Sequence, residues 1–89
     1  MLGAAVEDEL QIRLSRDQAI VLSAWLDRQM ARPSFAEAVI DDRAVWSPLL
    51  RISGTLETKL VDILREDYNQ LLDSSRERLI AELGDFGAP

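Results

Sequence analysis

Cysteine and histidine are both missing from this chain. Without cysteine there can be no disulfide, no thiolate nucleophile and no zinc–thiolate site. Without histidine the commonest general base and the commonest transition-metal ligand are gone. Lysine is nearly absent, since Lys59 is the single lysine and the other basic residues are arginine. Positive charge as a whole is in deficit, with 10 basic against 16 acidic residues and a net charge of -6. Nucleic-acid affinity comes largely from Lys and Arg displacing counterions, so no nucleic-acid partner is expected. Anionic membrane surfaces are disfavoured for the same reason.

Long apolar runs are also lacking. None approaches the ~20 residues that a membrane-spanning helix needs. Residues 1–10 are acidic and hold no apolar signal-peptide core. A cytoplasmic location without membrane attachment is therefore expected. The phosphate cradles G-x-x-x-x-G-K-[ST] and G-x-G-x-x-G do not occur, nor does a G-x-S-x-G elbow. With no base to activate its serines, the chain reads as non-catalytic, and neither a cofactor nor a metal is expected.

What is present suits one small folded unit. The chain has 89 residues, 47% of them hydrophobic and 29% charged. That is enough for one domain and argues against wholesale disorder. Residues 1–9 are expected to form a flexible segment, 10–84 a single helical domain and 85–89 a tail. A core this small invites help from self-association.

Leu10, Ile12 and Leu14 alternate with Gln11 and Arg13. A period of two suits a short strand. It is either an extended leader packed on the helices or a strand that pairs with another copy. The leader is the favoured reading.

Helical periodicity begins at Ser15, which with Gln18 makes a capping box. Asp17 sits in the first turn, where the helix dipole favours negative charge. The helix is expected over 19–31 and ends where Arg32 precedes Pro33. At ~100° per residue, Ala19, Leu22, Trp25, Leu26 and Met30 form a core stripe, Val21 lies at its margin and Ile20 on the far, solvent side. Ser34 and Glu37 make a second capping box for a short helix over 35–40. Asp41, Asp42 and Arg43 read as a turn, followed by a further helical turn at Ala44, Val45 and Trp46. Ser47 followed by Pro48 marks the next start, with a helix to about 65; the alternative is a longer helix over 42–64 kinked at Pro48, and the break is preferred because proline inside a helix costs ~3 kcal/mol. Its apolar face carries Leu49, Ile52, Leu56, Leu60 and Ile63, widened by Leu50, Val61 and Leu64. Gly54 lies inside it and marks either a kink or a close contact. The last helix is capped by Asp67 with Gln70, presents Tyr68, Leu72, Leu79 and Leu83, pairs Arg78 with Glu82, and ends at Gly84.

Three residues stand out as candidates for interaction. Glu57 falls within the widened apolar arc, where an unpaired carboxylate would be expensive to bury. It sits at the rim in water, pairs with an arginine such as Arg76 or Arg28, or lines a groove. Trp46 precedes Ser47 and reads equally as a staple or as an exposed anchor. Ile20 is the outlying apolar residue of its helix. Trp25, lying with Leu22 and Leu26, reads as core. Asp41 and Asp42 lack the alternate ligand spacing and turn glycine of a calcium loop and read as a solvated turn.

The run from Leu14 to Leu22 (LSRDQAIVL) followed by Trp25 and Leu26, the Ala44-Val45-Trp46 and Leu56-Glu57 pairs, and Asp67-Tyr68 before an arginine-bearing last helix carry a resemblance. Together they resemble small, acidic helical proteins of high-GC bacteria, a group with no assigned activity. The resemblance would span residues 10–83 and implies no site residues. By analogy some such proteins would act as immunity proteins or antitoxins that block a basic toxin.

The expected fold is all-α, a small three-to-four-helix bundle with a short extended or single-strand N-terminal segment. The expected function is protein–protein contact, as a homodimer or as an acidic partner of a basic protein. The alternative is a small-molecule or cation-binding regulatory module with a groove near Glu57.

Overall fold

The computed structural model describes residues 9–61 and 64–89. The frayed segment expected at 1–9, Glu9 apart, and the core role expected of Ile63 lie outside the described residues. The fold is all-α, with no strand among the described residues. Its elements in order are α1 (Arg16–Met30), α2 (Pro33–Ala38), a 3-10 turn (Ile40–Val45), α3 (Trp46–Lys59) and α4 (Tyr68–Leu83). Among the described residues, no helix is long and apolar enough to cross a membrane.

Local chemistry sets most of these boundaries. The Gln18 amide donates to Ser15 Oγ at 3.1 Å, and the Ser15 amide donates to Gln18 Oε1 at 2.8 Å. The expected capping box is therefore made in full, and it removes two of the orphan donors at the start of α1. At the other end Arg32 is extended (φ -87, ψ 136), as a residue before proline must be, and it becomes the N-cap of α2. Pro33 takes the first helical position, where its fixed φ suits a helix and its missing N–H is no loss. That moves α2 two residues earlier than the Ser34 capping box implied.

Further along, Pro48 is absorbed where a break was expected. α3 starts at Trp46, with Val45 as N-cap and no side-chain cap. Pro48 is then its third residue, still within the turn whose amides lack intrahelical acceptors. The helix also stops early, at Lys59, because Leu60 turns extended (φ -96, ψ 102) and drives its side chain into the core. Asp67 precedes α4 without capping it through its side chain (φ -94, ψ 21). Its carboxylate instead accepts two bonds from the Arg65 guanidinium, at 2.9 and 3.0 Å. Gly84 ends α4 at φ 61, a conformation that disfavours any side chain.

The core consists of Ile20, Ala24, Leu26, Leu56, Leu60 and Leu72, with Ala19, Val21, Leu22, Met30, Leu49 and Tyr68 packed around it. α1 is central, lying most extensively on α4 and next on α3. Two expectations for α1 are corrected by this placement. Ile20, expected on the solvent side, is 2% exposed, and Trp25, expected in the core, is 45% exposed. The buried arc runs through Ser23, Ala24, Leu26 and Ile20, rotated by about 100° from the stripe of largest side chains. Small residues make part of the difference, since Ser23 and Ala24 lie in this arc and are buried without adding apolar bulk to it.

Candidate functional site

Two features of α1 carry chemistry, and they lie on different sides of it. The first is a polar junction with α4. Asp17 accepts from Arg78 Nε at 2.7 Å, from Arg78 Nη2 at 2.8 Å and from Ser75 Oγ at 2.9 Å. The arginine fork meets both carboxylate oxygens, the strongest geometry for such a pair. Arg78 therefore points across to α1 and does not pair with Glu82 along its own helix as expected. These bonds, Arg78 first and Ser75 second, hold the Asp17 carboxyl down at about 2. Ser75 is 1% exposed, and its hydroxyl proton is committed to the carboxylate. The junction ties two helices together and leaves the serine no access to a substrate.

The second feature is an open apolar groove of about 410 Å³. The arm at 10–14 supplies Leu10, Ile12 and Leu14, α1 supplies Leu22, and α3 supplies Ile52 and Leu56. Arg51 and Thr55 are the polar groups on its wall. Gln11 and Arg13 are not among the lining residues, so the arm keeps the two-residue alternation of its sequence. The arm is neither helix nor strand, and among the described residues its backbone makes no backbone–backbone hydrogen bond over 10–14. Leu10 and Ile12 are 91% and 81% exposed. Single exposed apolar residues are ordinary, whereas these gather around one concavity.

The residues singled out from the sequence do not converge on this groove. Ile20 is interior and is corrected from a surface role. Trp46 is half-buried, its ring edge-on to Phe35 at a centroid distance of 5.6 Å and an angle of 70°. It therefore fastens α2 to the start of α3. Glu57 is exposed, stands outside the groove, and pairs with neither Arg28 nor Arg76. Arg76 bonds Asp73 at 3.2 Å instead. Among the described residues no group of three carboxylates is placed to share a cation. The groove residues Leu22, Ile52 and Leu56 had been assigned to core faces. The one sign of the groove in the sequence was the alternation of Leu10, Ile12 and Leu14. The Asp17–Arg78 pair, 61 residues apart in the chain, left no sign at all.

No family model matches the chain, and neither a curated protein nor a solved structure matches it significantly.

Proposed function

We infer that this chain is a contact module, working by seating an apolar segment of a protein partner in the groove between the arm, α1 and α3. The observation that carries this reading is the exposure of Leu10 and Ile12 beside a concavity walled by Leu22, Ile52 and Leu56. Apolar surface of that kind is stabilised by removal from water, at about 25 cal/mol per Å² buried. The net charge of -6 supports a protein rather than a nucleic acid as partner. A cytoplasmic setting belongs to the same proposal. No observation favours the cation-binding alternative, because the carboxylate it needs, Glu57, stands in solvent away from the groove.

Paired capture tests the reading. The wild-type chain and a Leu10→Asp/Ile12→Asp double variant are immobilised and offered the same native lysate, supplemented with the free wild-type chain. Binding by the wild type that is lost from an equally helical variant is the expected result. Equal capture by both would remove the groove from the account.

A further inference from the structure

We propose that the groove's partner is a second copy of this chain, the two arms pairing antiparallel about Ile12 across a two-fold axis. This rests on the groove reading and names its occupant.

The arm is self-complementary in one register. With Ile12 opposite the partner's Ile12, Leu10 faces the partner's Leu14, so all three apolar side chains gather on the groove side. On the other face Gln11 meets the partner's Arg13, and Glu9 lies diagonal to that same arginine, an opposite-charge contact. A slip by one residue breaks this. Centring on Arg13 sets Arg13 against its own copy, like charge facing like, and puts Leu10 opposite the partner's Arg16. Centring on Gln11 sets Leu10 against the partner's Ile12 and Glu9 against the partner's Arg13, but it leaves Leu14 with no apolar residue of the arm opposite it. Two-fold symmetry requires a surface that complements itself, and the Ile12-centred register meets that requirement. The pairing also supplies partners for backbone groups that have none within the described residues.

Local charge does not oppose it. The chain carries -6, but among the described residues the arm at 9–14 and the groove wall hold Arg13 and Arg51 against Glu9. A two-stranded ribbon alone is marginal in water, so the arms must also cover the groove.

The absence of native cysteine makes the test clean. Opposed residues of an antiparallel pair have Cα atoms about 4.5–5.5 Å apart, within disulfide reach, whereas diagonal ones stand ~7–8 Å apart. Under mild oxidation Ile12→Cys is expected to shift from the mass of one chain to that of two. Gln11→Cys and Arg13→Cys, each alone, should stay single, but mixed together they should form a covalent heterodimer. Sedimentation equilibrium of the wild type should show the mass doubling across the micromolar range. Ile12→Asp should remain a monomer with unchanged helicity. Equal crosslinking at residues 11, 12 and 13, or a wild-type chain that stays monomeric, would overturn the proposal. The capture assay then separates the two failures. A monomer whose arm variant loses a different protein sinks the second copy and leaves the groove reading standing. A monomer with identical capture by both chains sinks both.

Discussion

The two sides of α1 differ in how they meet their neighbours. Toward α4 the helix presents Asp17, and the contact is closed by its junction with Ser75 and Arg78. Toward α3 it presents Leu22, the arm stands off, and an open apolar groove results. The closed side has a fixed polar geometry, which makes the pairing of α1 with α4 specific. The open side has apolar bulk but nothing that locks it. The same helix thus carries one closed interface and borders one open apolar groove.

The largest effect is expected from emptying the core on which both sides of α1 rest. Leu26→Ala removes a side chain that is 2% exposed and should cost about 2–5 kcal/mol, measured by urea denaturation. Ser75→Leu should follow at about 1–3 kcal/mol, because a bulky group would force α1 and α4 apart. Either variant with wild-type stability would show that the helices do not meet as described.

Removing the polar lock comes next. Asp17→Asn should lower Tm at neutral pH, by less than Leu26→Ala does. It also has a signature in acid. The Asp17 pKa is depressed in the fold to about 2 from an ordinary 3.8, so the unfolded chain binds the proton first. The stabilisation is complete above 3.8 and is lost as pH falls from there through about 2. The difference in Tm between wild type and Asp17→Asn should therefore narrow over that interval. A constant difference would mean that the carboxylate is not what holds Arg78 and Ser75.

Gly54→Ala should have a smaller effect, and of opposite sign. Among the described residues a Cβ at Gly54 would meet nothing within 4 Å, so the close contact considered for this glycine is not made by them. The substitution should stabilise α3 by about 0.5–1 kcal/mol. A loss of stability would indicate a contact made only in an assembly. The smallest effect on the isolated fold belongs to Leu10→Asp, which should change stability by no more than about 0.5 kcal/mol while weakening association.

How much of this was legible in the sequence follows from how local each signal is. The Ser15 and Gln18 capping box, the stop before Pro33 and the Gly84 terminus are set by neighbours within a few residues, and all three stand as read. The α3 boundaries are not local in that sense. Pro48 is compatible with both a first and a third helical position, and the stop at Lys59 follows from Leu60 turning into the core. Asp67 had a closer competitor for its carboxylate in Arg65. On α1 the stripe read by size of apolar side chain stands for Leu26, with Ala19, Leu22 and Met30 packed around the core, but it missed Ile20 and Ala24 and set Trp25 too deep. A helix with neighbours on two sides buries a wider arc than one stripe. The groove was legible as an alternation but not as a cavity, because its walls come from three separated segments. Glu57 attracted notice by its place on the wheel, yet it lies exposed within α3, on a part of the arc that no other described element covers.

Amide hydrogen exchange on the wild-type chain, at low and high protein concentration, tests the contrast between the two sides most directly. Protection over 10–14 and around Arg51, Ile52 and Leu56 should rise with concentration, while α4 around Ser75 and Arg78 is protected equally at both. An arm that exchanges freely at every concentration, or an α4 whose protection tracks concentration as the arm's does, would contradict the division into a finished face and an unfinished one.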